Sequence, residues 1–308
     1  MSLLVLSERE VEELLTMEEC IDAMADVLAA LARGELFQPL RSVVRPSEAP
    51  GLMGLMPAHR GGDDALFSLK EIVVSPGNPR RGLDAHQGAV LLHDGETGEL
   101  RALLNASPIT AIRTAAVSAV ATRALARADA RTVAILGAGV QGQAHARALR
   151  SVLGDAEIRI WSRSSGGTAE EAVRDADVVC TCTSSREPVL RREWLAPGAH
   201  VNAVGSSVPS ARELDTETMA AAALFVDRRE STLNESGDYL LAAGEGAIGP
   251  DHIRAELGEV LVGAHPGRTS DAELTVFESL GLAVEDLAAA ELVVRKAREQ
   301  GVGTEVAF

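Results

Sequence analysis

The sequence is poor in positive charge. Its 308 residues carry 29 lysines and arginines against 45 aspartates and glutamates, a formal net charge of −16. A partner bound through many phosphates needs a basic face, so nucleic acid is not the expected ligand. Long apolar runs are also missing, and no stretch approaches the ~18 uninterrupted apolar residues of a membrane span. Residues 1–15 are broken by Glu8, Glu10, Glu12 and Glu13, with no basic segment ahead of an apolar core, so no secretory signal is expected. Cysteine is scarce: Cys20, Cys180 and Cys182 cannot all pair within one chain, and a Cys180–Cys182 bridge along one strand would sit near the limit of disulfide reach. A reducing cytoplasm is the expected compartment. No C-x-x-C or H-x-x-x-H spacing offers a metal site, and no G-x-S-x-G elbow suggests a hydrolase.

What is present is an ordinary globular composition, 46% hydrophobic and 24% charged, in a chain long enough for two domains. From Glu8 to Gly34 the apolar spacing is helical, with a break near Thr16. Between Arg41 and Leu104 short apolar runs alternate with turn residues. Strands are predicted at Leu40–Val44, Leu52–Met56, Leu66–Val74, Gly88–His93 and Ala102–Leu104, forming a mixed or antiparallel sheet. An alanine-rich helix, Ile109–Ala126, then leads to strands at Thr132–Leu136, Glu157–Trp161, Val178–Thr183, His200–Val204 and Leu224–Val226, separated by helices or loops. That alternation predicts a parallel sheet covered on both faces. A last helix, Val284–Glu299, is long enough to return to the first domain. The expected fold class is α/β: a Rossmann-type parallel-sheet domain, residues 117–282, plus a smaller α+β domain, residues 1–116 with 283–308.

The segment Val133 to Gly142 places a buried strand directly before Gly137-Ala138-Gly139-Val140-Gln141-Gly142, and a helix continues from Gln143. In G-x-G-x-x-G the first glycine permits the tight turn, the second lets a pyrophosphate approach, and the third allows close packing of helix on strand. The helix N-terminus supplies free amide donors to the phosphates. An NAD-preferring unit usually carries an acid roughly 20 residues past this turn. Here stands Trp161-Ser162-Arg163-Ser164-Ser165, in which Arg163 can pair with a 2′-phosphate. NADP(H) is therefore favoured, with NAD(H) left open.

The first domain holds basic residues inside or beside apolar runs: Arg41 after Pro39-Leu40, Lys70 in Phe67 to Ile72, and Arg113 in Thr110 to Ala115. A buried cation needs an anion, which a ligand carboxylate or an internal ion pair would supply. His86, ahead of a strand, is a candidate for contact with nicotinamide or substrate.

These residues carry a resemblance to the ornithine cyclodeaminase and mu-crystallin family. The resembling segments include Leu40 to Val44, Leu52 to Ala58, Ser68 to Lys70, Pro76 to Pro79, His86 to Gly88, Ile109 to Ala121, Ile135 to Gln141, Val204 to Leu214, Glu235 to Asp238 and Thr275 to Asp286. The resemblance implies a first domain that binds substrate and forms a homodimer, completed by the C-terminal helix. It implies that Arg41, Lys70 and Arg113 hold a substrate carboxylate, with Lys70 near the reacting amine or imine. The positions matching its cofactor contacts are His86, Ala138, Val140, Gln141, Ser162, Arg163, Ser164, Thr183, Val204 and Ser279.

Two departures bear on chemistry. Cyclodeaminases of the family carry an Asp two residues before a proline, where this chain has Ser207-Val208-Pro209. A hydroxyl is no carboxylate base near neutral pH, and serine there resembles the mu-crystallin branch, whose members reduce cyclic ketimines. The stretch Ser164 to Asp177 is also short, with room for one short helix and not the helix, strand and helix that the family implies. The expected activity is NAD(P)H-dependent reduction of an α-imino acid or cyclic ketimine carboxylate, or amino-acid dehydrogenation. The alternatives are an ammonia-releasing lyase that recycles NAD, a non-catalytic carrier of a small ligand, and an amino-acid-condensing dehydrogenase.

Overall fold

The computed structural model describes residues 2–308, which divide into two compact units: residues 2–113 with 282–308, and residues 114–281. Elements are numbered in chain order. The first unit contains β1 (Ser2–Leu6), α1 (Glu8–Leu14), α2 (Met17–Ala32), β2 (Leu36–Phe37), β3 (Ser42–Val44), β4 (Leu52–Arg60), β5 (Leu66–Val74), β6 (His86–Asp94) and β7 (Leu100–Asn105). It also holds the first part of α3 (Ala106–Leu125), then α10 (Ala283–Gln300) and β15 (Thr304–Ala307). The predicted helical segment is two helices because Ser7 caps α1 in a box with Glu10, and Thr16 caps α2.

The sheet of this unit runs β15-β1-β7-β6-β5-β4-β2, with β3 also on β4, and every pairing except β1 with β7 is antiparallel. Period-two alternation buries Met56 and Ala58 of β4, Leu66, Ser68 and Lys70 of β5, and Val90 and Leu92 of β6, on the face where α10 packs. Each fully buried Leu, Val or Met stabilises the layer by roughly 1.5–3 kcal/mol. Strand β4 runs on through Pro57, four residues beyond its predicted end. Its outer neighbours leave a gap there, since β3 pairs with residues 53–55 and β2 with 59–60, so the missing N–H costs no ladder bond on that side.

The second unit contains the rest of α3, then β8 (Thr132–Leu136), α4 (Val140–Leu153), β9 (Glu157–Trp161), α5 (Ala169–Val173), β10 (Val178–Thr181), β11 (His200–Ala203) and α6 (Thr216–Ala221). It continues with β12 (Ala223–Val226), α7 (Arg229–Glu235), α8 (Gly237–Gly244), β13 (Ile253–Glu256), α9 (Leu257–Leu261) and β14 (Thr275–Glu278). Seven strands form an all-parallel sheet in the order β13-β12-β14-β11-β10-β8-β9. Two apolar clusters flank the sheet, one around Leu136, Val201 and Val276, the other around Val133, Ile135 and Leu149. The chain starts at β8, moves outward to β9, and returns on the other side of β8 as β10. That reversal is the topological switch point of a doubly wound sheet.

Only α5 separates β9 from β10, capped by Thr168 in a box with Glu171. Among the described residues no strand lies outside β9, in line with the short Ser164 to Asp177 segment. Strands β13 and β14 were not predicted. Four residues, alternating in β13 and wholly buried in β14, give too little pattern to distinguish a strand from loop.

The N-terminus of α10 has no side-chain cap from its own flank, and Gln38 Oε1 instead accepts from the Val284 N–H at 3.0 Å. Gln38→Ala leaves that buried donor without its acceptor and is expected to destabilise the protein by about 1–3 kcal/mol. A urea-unfolding midpoint that does not move would refute this role.

Candidate active site

The predicted cofactor residues of the second unit fall along one edge of its sheet. The Gly137 turn follows β8, Ser162 to Ser164 follow β9, Thr183 follows β10, Val204 to Ser207 follow β11, and Ser279 follows β14. These strands are consecutive in the sheet, so the residues form a contiguous line at the C-terminal ends, where open α/β sheets bind ligands. The three glycines play different parts. Gly137 has φ +122° and lies where a Cβ would come within 2.4 Å of the Cys182 carbonyl oxygen; at Gly142 a Cβ would stand 1.9 Å from the Gly137 carbonyl oxygen. Gly139 caps α4 and has nothing within 4 Å of a built Cβ, which leaves its backbone open to a pyrophosphate. Ala138 and Val140 are exposed beside it, Val140 to 64%, and Gln141 is half-buried. This cradle fits a dinucleotide.

After β9 the serines form a compact turn: Ser165 Oγ accepts from Ser162 N and donates to Ser162 O, both at 2.8 Å, and Ser162 and Ser164 hydroxyls meet at 3.1 Å. Arg163 is exposed on that turn. Ser279 is buried, its N–H donating to Ala203 O at 2.9 Å, and Val204 N donates to Thr181 O at 3.0 Å. Ser207 is half-buried on a loop held by neighbours on both sides. Gly237 N donates to Ser206 O at 2.9 Å, and Ser206 Oγ to Glu278 Oε2 at 3.2 Å.

In the first unit, Lys70 and Arg113 come together with two acids at the start of α10. Lys70 is 1% exposed; its Nζ lies 2.9 Å from Asp286 Oδ1 and 2.8 Å from Oδ2. Arg113 Nε reaches Asp286 Oδ1 at 3.0 Å, and its NH1 reaches Glu285 Oε2 at 2.7 Å. Burial pulls the Lys70 ammonium down to about 8, aided by Arg113 and Arg41 and opposed by Asp286. Arg41 precedes β3 in the row that crosses Met56 of β4 and Lys70 of β5, and its charge acts on Lys70. Lys70 and Arg113 are thus answered by Asp286 and Glu285, the internal ion pair that the sequence left open. His86 opens β6 on the same face as Lys70, so it belongs with the cations of this unit.

A sequence profile described as the ornithine cyclodeaminase/mu-crystallin family matches residues 1–169 and 164–301. The mouse protein named ketimine reductase mu-crystallin is 42% identical over 276 residues, covering 84% of this chain and 85% of that protein. The chain belongs to this family. The junction of the two profile matches falls in the short connection between β9 and α5. Among solved structures of family members, Delta(1)-pyrroline-2-carboxylate reductase of Thermococcus litoralis, in complex with NADH and L-proline, superposes with TM-score 0.93 at 35% identity, covering 98% of this chain and all of that one. An archaeal alanine dehydrogenase dimer with bound NAD superposes with TM-score 0.94 at 33% identity over the full length of both chains.

The sequence did not single out Glu285 and Asp286, nor the buried carboxylates Glu213, Asp227, Asp238 and Glu278 of the second unit. A signal was present for two of them: Asp227 and Glu278 stand at the ends of fully apolar strand segments, where a buried acid caps the edge of a parallel sheet. The glycine turn yields a discriminating test. Gly139→Ala adds a methyl that no protein atom meets, so the apoprotein's melting temperature is expected to hold while affinity for NADH and NADPH falls about tenfold or more. Unchanged dinucleotide affinity in a fluorescence titration would remove the turn from cofactor binding.

Proposed function

We propose that this protein is an NAD(P)H-dependent oxidoreductase that reduces an α-imino acid or cyclic ketimine carboxylate, or runs the reverse reaction as an amino-acid dehydrogenase. The observation that carries the reading is the buried Lys70–Asp286–Arg113–Glu285 cluster, with an ammonium that burial brings down to about 8. A dinucleotide held by the Gly137 turn, Thr183, Val204 and Ser279 would supply the hydride. The protein's own work is then to orient and to manage a proton. Arg41, Lys70 and Arg113 would hold the substrate carboxylate. Imine reduction needs a proton at nitrogen so that no amide anion forms, and a group with pKa about 8 gives and takes protons in this range. The relatives named for pyrroline-carboxylate reduction, ketimine reduction and alanine oxidation share this substrate chemistry.

Ser207 favours net hydride transfer over ammonia-releasing cyclisation, because it gives an attacking water no carboxylate base. Arg163 and the serine turn favour NADPH over NADH. A homodimer is supported by the sheet face opposite Lys70, on which Phe37, Val44, Met53, Phe67 and Val73 are exposed in adjoining rows. Sedimentation at micromolar concentration should return a dimer, and a monomer would count against it.

The activity is tested by following NADPH and NADH absorbance with preformed cyclic ketimine acids, and with keto acids plus ammonia or amines. Failure of every pair to consume cofactor would end the reductase reading. Because Lys70 donates as an ammonium, the reduction rate should fall as pH rises through about 8, and the oxidation rate should rise over the same range. Asp286→Asn removes the carboxylate that holds the Lys70 proton, so the alkaline limb should move to lower pH; an unmoved limb would acquit Lys70 of proton transfer.

A further inference from the structure

We propose that Glu213 is a positioning residue whose carboxylate fixes the nicotinamide half of the dinucleotide site by clamping the loop after β10 to the loop after β11. The inference rests on the second unit being a dinucleotide site. In such a unit the adenosine half lies over the first two strands, here β8 and β9, and the nicotinamide half over the strands beyond the switch point, here β10, β11 and β14. Strand β10 stops at Thr181 and β11 at Ala203, so beyond Val204 the sheet no longer joins the two chains. One side chain does so instead. Glu213 Oε1 accepts from Thr183 N and Oε2 from Gly205 N, each at 2.6 Å.

The anchor is itself fixed from several sides. The Glu213 carbonyl accepts from Val189 N at 2.8 Å and Leu190 N at 3.0 Å, and its N–H donates to Asp238 Oδ1 at 2.8 Å. The fit is close: a Cβ on Gly205 would stand 2.1 Å from the Thr183 carbonyl oxygen and 2.6 Å from Glu213 Cδ. Only a carboxylate offers two acceptor atoms to two amide donors at this span. Glutamine would turn a donor toward one N–H, and aspartate is a methylene short. The cost of the charge is visible in its surroundings. Glu213 is fully buried, Arg212 beside it turns away to Glu245 at 2.7 Å, and Asp238 of α8 and the thiols of Cys180 and Cys182 face it. Burial and Asp238 push its carboxyl up to about 7, against the hydrogen bonds that it accepts, those of Thr183 first. The two loops that it joins carry Thr183, Val204 and Ser207, the residues proposed for nicotinamide and substrate.

The test compares Glu213→Gln with wild type in titrations with NADH, NADPH and ADP-ribose, which lacks the nicotinamide. Dinucleotide affinity is expected to fall about tenfold or more, since an amide N–H loses a charged acceptor, while ADP-ribose affinity stays within about twofold. The KM for the cofactor should rise with it, and kcat at saturating cofactor should change far less. Equal dinucleotide affinity in the two proteins would overturn the proposal and leave the reductase reading standing. Parallel loss of ADP-ribose and dinucleotide would mark a general structural role and overturn it too. A wild type that binds neither ligand would bring down the dinucleotide reading and the clamp together. Should the glutamine variant not fold, Glu213→Asp keeps the charge and must show the same split; failure of both to fold would make the residue structural and end the proposal.

Discussion

A charge taken out of water must be answered by something else, and both units of this protein are arranged around that constraint. In the first unit the answer is opposite charge: Lys70 and Arg113 meet Asp286 and Glu285 at the first turn of α10. That turn is a favourable place for acids, because the free amides of a helix start carry partial positive charge. In the second unit the answer is dipoles. Glu213 is met by two loop amides, Asp238 by the amides of Glu213 and Leu214, and Glu278 by the hydroxyls of Ser206 and Ser236. Burial raises all three carboxyls, Glu278 well above the ordinary range with Asp238 adding to it. A cluster of paired charges and a sheet edge tied by carboxylates are different solutions to one cost.

The two solutions have different consequences for stiffness. Ion pairs between long side chains hold atoms but not backbones. Carboxylates bonded to backbone amides hold the chain itself. The loops after β10, β11 and β14 are tied in this second way, at Thr183, Gly205, Leu280 and Gly281, the last two through Asp227 Oδ2. Preorganisation of this kind suits a surface that must receive a flat ring in one orientation.

Much of this was legible in the sequence, and what was not has physical reasons. The glycine turn could be read because each glycine has its own steric cause, and those causes act within six residues. The burial of Lys70 and Arg113 could be anticipated because a cation in an apolar run is locally anomalous. The missing crossover after Arg163 was a matter of counting residues, and β9 is indeed the edge strand. The acids could not be read the same way. In a strongly acidic chain Glu285 and Asp286 look like any solvated pair at a helix start, and only the return of α10 onto β4, β5 and β6 buries them. Strands β1 and β15 escaped notice because each is completed by the other, from opposite ends of the chain.

Ser207 shows how the framework limits chemistry as well as supporting it. A water that attacks an iminium carbon needs a carboxylate within reach to take its proton. Three acids bonded to this stretch, Glu213, Asp238 and Glu278, are all fully buried. Glu213 already spends both oxygens on the loops, and Asp238 spends one on two amides. To act as a base, Glu213 would have to release the loops that shape the site. A hydroxyl at position 207 with its acidic neighbours committed to backbone leaves this edge without a free carboxylate base among those acids.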